Sequence, residues 1–163
     1  MRILVCGTNY GATYIRSLSM GSDNLVAVGI LSTGSPRSKK YAESARITHY
    51  SSVNDIPANA VDIACVAVPS DAGQQLVLAL LAKGIHVLCE HPLGPGQMNT
   101  ALSVAAQNRC LFQVNAHFGD LQAPQAFIRA LAVAHQQGPC LHYDLAVNLR
   151  DRKSTRLNSS HRL

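Results

Sequence analysis

A chain of 163 residues that is 47 % hydrophobic and only 14 % charged has the composition of a domain folded around a sizeable core, which excludes an intrinsically disordered protein. Its formal charge of +5 is local, because residues 151–163 hold four of the 14 bases and one of the nine acids and leave residues 1–150 at +2. No nucleic-acid or membrane partner is therefore expected from charge, and no apolar stretch reaches the ~20 residues of a membrane span.

In chain order, the predicted elements alternate between strand and helix. Residues 2–6 (Arg-Ile-Leu-Val-Cys) read as a fully buried strand, followed by a helix over 10–19 and a strand over 25–31. Residues 32–38 read as a polar loop, 39–45 as a short helix and 47–50 as a short strand. A buried strand over 61–68 ends at Pro69, and a Leu- and Ala-rich helix over 71–83 stops at Gly84. A strand over 85–89, a helix over 96–108, a strand over 111–115 and a long helix over 121–137 follow. Residues 141–148 alternate in polarity and read as the first strand of something new. The fold class this predicts is α/β: a Rossmann-type, doubly wound parallel sheet with right-handed crossovers. The domains expected are a nucleotide-binding domain over 1–138, the start of a second, truncated domain over 139–150, and a tail over 151–163. Residues 151–161 fit the in-frame translation of a sequencing adapter, and the tail is expected to be non-native.

The first strand stops at a glycine turn and opens a helix, the arrangement in which backbone N–H groups face a pyrophosphate. In the G-x-G-x-x-G frame Gly7 takes the first place, Asn9 the second and Ala12 the third, with an additional Gly11. Asn9 suits a position that needs positive φ. Gly7, Thr8, Asn9, Tyr10 and Gly11 are the expected phosphate contacts. The end of the second strand decides between cofactors. An NAD site usually has an acid there for the ribose 2′-hydroxyl. Here Ser32-Thr33-Gly34-Ser35-Pro36-Arg37-Ser38-Lys39 offers hydroxyls and a guanidinium and no acid. NADP(H) is the expected cofactor, with Ser32, Ser35, Arg37 and Ser38 as contacts. Val68, Pro69 and Ser70 close another strand on the same sheet edge and are expected beside the cofactor. An ordinary strand-to-helix turn and a solvated basic loop are the plain alternatives at these two places.

Glu90-His91-Pro92 puts an acid and an imidazole at the carboxyl end of the next strand, where open α/β sheets bind ligands. An imidazole is suited to supply a proton near neutral pH, so His91 is the candidate general acid, with Glu90 orienting it or the nicotinamide. His117, beside Phe118, is a further candidate proton donor, while His86 inside its strand is expected to be structural. The five cysteines (Cys6, Cys65, Cys89, Cys110, Cys140) are widely spaced and read as small buried hydrophobes of a reduced compartment. No metal site and a cytoplasmic location are expected.

The Glu90-His91-Pro92 strand end resembles that of the Gfo/Idh/MocA oxidoreductases, which reads Glu-Lys-Pro, with histidine here in place of the lysine. Glu-His-Pro-Leu, together with the Cys-Gly-Thr-x-Tyr-Gly start and Asp-Ile-Ala-Cys-Val, looks most like the thiazolinyl imine reductases of siderophore assembly. That resemblance implies NADPH-dependent reduction of a thiazoline C=N to thiazolidine on an intermediate carried by a nonribosomal peptide synthetase. It also implies that the domain beginning over 139–150 is an α+β substrate and dimerisation domain, through which a homodimer forms. Two other readings are a Gfo/Idh/MocA sugar or polyol dehydrogenase and, of a different class, a non-catalytic nucleotide-binding regulatory module.

Overall fold

The computed structural model describes residues 1–21, 24–116 and 121–138. The chain divides into two compact units, Met1–His117 and Phe118–Leu163. The first contains six strands: β1 (Arg2–Cys6), β2 (Val26–Leu31), β3 (Thr48–Tyr50), β4 (Ile63–Val66), β5 (His86–Glu90) and β6 (Phe112–Asn115). They form one sheet in the order β3-β2-β1-β4-β5-β6, every pair parallel. Parallel neighbours need long crossovers. Helices α1 (Gly11–Ser19), α2 (Pro36–Ala45), α3 (Ser70–Ala82) and α4 (Pro95–Gln107) supply them, with a 3-10 turn at Val53–Asp55. The second unit contains α5 (Gln122–Gln137).

The sheet is buried on both faces, which is why its strands read as unbroken apolar runs. Along β1 the side chains alternate. Leu4 and Cys6 join Val77, Leu80 and Leu81 of α3 and Ala101 and Ala105 of α4 in one core. Ile3 and Val5 join Ile15 of α1 and Ala42 of α2 in the other. Burying each large apolar side chain stabilises the fold by about 1.5–3 kcal/mol. The strand order reverses between β1 and β4, so a crevice opens there beyond the carboxyl ends of the strands.

The Rossmann-type sheet expected from the sequence is the one observed. One element differs materially. The segment expected as a loop over 32–38 ends at Ser35, because α2 begins at Pro36. The cause is local chemistry: Ser35 Oγ accepts from the Ser38 backbone N–H at 3.3 Å, and a proline occupies the first turn, where no N–H is missed. The expected strand over 141–148, the tail over 151–163 and His117 lie outside the described residues. Among the described residues no helix is long and apolar enough to cross a membrane.

The turn into α3 is the tightest point of the core. A Cβ on Gly73 would stand 2.0 Å from the Val68 carbonyl oxygen, so the helix can follow β4 this closely only without a side chain there. Gly73→Ala is expected to destabilise the chain by about 2–4 kcal/mol, because backbone must shift to relieve the overlap. Urea unfolding checks this through a lower midpoint at unchanged slope.

Candidate active site

The cleft at the carboxyl edge of β1, β2 and β4 has a volume of about 530 Å³. Three turns build it. The first, Gly7-Thr8-Asn9, leaves β1 with Gly7 at φ +86°, a conformation that L side chains rarely adopt. A Cβ on Gly7 would lie 3.0 Å from the Ala67 carbonyl oxygen and 3.2 Å from Val68 Cγ2, so the missing side chain leaves the two turns in contact. The second turn, Ala67-Val68-Pro69, ends β4 and passes opposite. The third runs from Leu31 through Ser32, Thr33 and Ser35 to Arg37, with Ser51 and Ser52 nearby. Among the residues lining the cleft none is acidic.

The glycine frame is filled differently from its expected assignment. Among the described residues, positive φ outside glycine occurs at Arg46, Asn59 and Arg109, not at Asn9. Asn9 lines the cleft with ordinary backbone. Close packing of helix on strand is the work of Gly11 rather than Ala12: a Cβ on Gly11 would come within 2.8 Å of Val5 Cγ1.

Of the expected cofactor contacts, Gly7, Thr8, Asn9, Ser32, Ser35, Arg37, Val68 and Pro69 line this one cleft. Ser38 does not. It is fully buried in the first turn of α2, and its hydroxyl donates to the Ser35 carbonyl at 2.9 Å. Tyr10 caps α1 outside the cleft, half exposed and edge-on to Tyr14 with ring centroids 6.2 Å apart. Ser70 opens α3.

Glu90 and His91 lie at the end of β5, two strands from β1. Glu90 is largely buried and well supplied with donors. Tyr14 of α1 donates its hydroxyl to Glu90 Oε1, and Asn115 Nδ2 donates to the same oxygen at 2.7 Å and to the Tyr14 hydroxyl oxygen at 2.8 Å. The other carboxylate oxygen, Oε2, lies 3.7 Å from His91 Nδ1, and His91 itself is exposed. One edge of the carboxylate is thus fixed by two neutral donors while the other faces the imidazole. The His91–Pro92 peptide is cis. Burial, then the bond to Glu90, pushes the Tyr14 phenol well above its ordinary value. Burial and the charge of Glu90 likewise raise the thiols of Cys65 and Cys89 to about 11, which keeps both protonated and inert at neutral pH. His86 accepts from the Leu111 backbone N–H through Nδ1 at 2.9 Å, a structural bond between β5 and the approach to β6.

Sequence reasoning missed Tyr14 and the Glu90 contact of Asn115. The available signal was the placement of Tyr14 one helical turn after Tyr10, on the side of α1 that meets the sheet.

Residues 1–116 match the model of the oxidoreductase family with an NAD-binding Rossmann fold, Gfo/Idh/MocA, and the chain belongs to that family. No curated protein sequence gives a significant match. Solved structures share the fold. A biliverdin reductase from Synechocystis, in complex with biliverdin and NADP+, is 20 % identical with a TM-score of 0.68, over 80 % of this chain and 42 % of its own. The 3-ketoreductase KijD10 from Actinomadura kijaniata, in complex with NADP and TDP-benzene, is 22 % identical with a TM-score of 0.68, over 85 % of this chain and 42 % of its own. An NAD-binding protein from Listeria innocua is 24 % identical with a TM-score of 0.63, over 70 % and 34 %. The chain therefore spans well under half the length of these structures.

The cleft fits the dinucleotide that the family binds. It has a side-chain-free cradle at Gly7, an apolar wall at Val68 and Leu76, and hydroxyl and guanidinium groups at its β2 end. An alkaline titration followed at 295 nm checks the electrostatics of the β5 end. Subtracting the Tyr14→Phe curve from that of the unmodified chain should isolate a phenol that stays protonated through its ordinary value of 10 and ionises only at higher pH. A phenol titrating near 10 would mean that the Glu90 contact is not made.

Proposed function

We propose that this chain is the cofactor-binding part of an NADPH-dependent reductase acting on a carbon–nitrogen double bond, of the thiazolinyl imine reductase kind. The observation that carries the cofactor preference is the β2 end of the cleft. Ser32, Thr33, Ser35 and Arg37 surround that end, the amino end of α2 adds the positive pole of a helix, and no acid is present to repel a 2′-phosphate. A nicotinamide cofactor supplies the hydride when bound. The chain's own part is to bind, orient and protonate.

Reduction of C=N adds a hydride to carbon and requires a proton at nitrogen. His91 is the group suited to donate it: an exposed imidazole at the strand end, with Glu90 Oε2 beside Nδ1 to fix its orientation. Glu90 in turn is held by Tyr14 and Asn115. Histidine where the Gfo/Idh/MocA turn reads lysine favours the imine over the sugar reading. An imidazolium gives up its proton more readily than a lysine ammonium, which suits donation to a nitrogen that becomes basic as it is reduced. Presentation of the substrate by a peptide-synthetase carrier, dimerisation through a following domain, and a domain boundary near residue 138 belong to the same proposal and rest on the resemblance.

Titration of the chain with NADPH and NADH tests the cofactor reading. NADPH should bind at least about tenfold more tightly, and Arg37→Ala should remove most of that difference while leaving NADH affinity within about twofold. Equal affinities would contradict it. In the full-length reductase His91→Ala should lower imine turnover by about 10²–10⁴-fold with NADPH affinity unchanged, as expected for loss of a general acid. Unchanged turnover would remove His91 from the mechanism.

A further inference from the structure

Behind the cleft wall at the end of β2 stands a histidine that does not itself reach the cleft. His49 lies on β3, paired with Ile30 of β2, and is half buried. Its Nε2 lies 2.8 Å from Ser32 Oγ. The backbone N–H of Gly34 donates to the same oxygen at 3.4 Å. Ser32 lines the cleft, so its hydroxyl stands between the imidazole and the space beside Arg37.

A serine hydroxyl has one proton and two lone pairs. When Gly34 N–H and His49 Nε2–H occupy the lone pairs, the hydroxyl proton is left to point elsewhere, and the cleft is the open direction. With the opposite tautomer, the proton would turn back to His49 and present lone pairs to any anion in the cleft. The tautomer of His49 thus decides whether Ser32 attracts or repels a phosphate. The tight turn at Gly34, with φ +82°, is what brings these groups together. A Cβ there would lie 3.6 Å from Lys39 Cε and 3.9 Å from His49 Cε1, so a lysine stem and the imidazole both lie close to the turn. The Arg37 guanidinium lines the same end of the cleft as Ser32, which favours an anion there.

We propose that His49 is a positioning residue for the 2′-phosphate of NADPH: by donating from Nε2 to Ser32 Oγ it aims the Ser32 hydroxyl proton at the phosphate, and so contributes to the preference for NADPH over NADH. The inference rests on the NADPH reading above, which can stand where the inference fails.

Calorimetric titration of the chain with NADP+ and NAD+ tests it. His49→Leu should weaken NADP+ binding about five- to twentyfold and change NAD+ binding less than about twofold, the size of one lost hydrogen bond to a charged group. His49→Gln, whose side-chain amide can donate in the same place, should recover most of the loss. In a Ser32→Ala background, His49→Leu should have little further effect, since the two act through one hydroxyl. Unchanged NADP+ affinity in His49→Leu, or equal weakening for both cofactors, overturns the proposal. If His49→Leu does not fold, His49→Phe keeps a ring without a donor and takes its place. Failure of both to fold assigns His49 a structural role and also overturns it. If the unmodified chain itself binds NADP+ and NAD+ alike, the NADPH reading falls, and this inference with it.

Discussion

The close approach of two turns at the point where the sheet reverses its strand order is the constraint on which the rest depends. β1 and β4 lie side by side, yet their crossovers leave in opposite directions, so the turns after Cys6 and Val66 must pass each other. They do so because Gly7 carries no side chain where a Cβ would meet the Ala67 carbonyl. The same economy recurs where α1 meets Val5 through Gly11 and where α3 meets Val68 through Gly73. Any side chain at these places would push a helix off the sheet and close or distort the crevice. The cleft is therefore a consequence of the way the two halves of the sheet are joined. A larger hollow of about 830 Å³ lies between α1 and α2 around Leu25, Ser44 and Ile47. It sits at the amino end of β2, away from the edge where open α/β sheets place ligands, and is not the site.

Along the carboxyl edge, chemistry divides by strand. The β2 end is rich in hydroxyls and carries the Arg37 guanidinium. The β5 and β6 ends carry Glu90 and Asn115, joined to Tyr14 of α1 in one hydrogen-bonded group. A largely buried carboxylate costs several kcal/mol in desolvation unless donors surround it. Two neutral donors offset that cost here without neutralising the charge, so Glu90 keeps an oxygen facing His91. The geometry suits a carboxylate that orients an imidazole.

Much of the fold was legible because two-sided burial leaves few choices for a parallel strand. Runs such as Ile-Leu-Val-Cys at residues 3–6 and Ile-Ala-Cys-Val at 63–66 cannot sit elsewhere. The start of α2 is not legible because Ser35 and Pro36 are turn residues as well as helix-starting residues. Their local hydrogen bonds, not their composition, settle which role they take. Ser38, expected in an open loop, is consequently buried inside the helix. The glycine frame pointed to the right turn, but packing against Val5 selects Gly11 over Ala12 for the helix contact. The group around Glu90 was not legible. Tyr14 reaches it from 76 residues away, and His49 reaches Ser32 from 17 residues away on a neighbouring strand. Such pairs depend on register across the sheet, which no short motif encodes.

Backbone amide shifts of the chain in heteronuclear NMR, recorded as NADP+ is added, test directly whether the cleft between the β1, β2 and β4 turns holds the dinucleotide. The amides of Gly7, Thr8, Ser32, Gly34 and Ala67 are expected to move together and saturate with one affinity, while those of Leu25, Ser44 and Ile47 stay in place. Movement confined to the Leu25, Ser44 and Ile47 hollow, with the Gly7 and Ala67 amides unshifted at saturation, would contradict it.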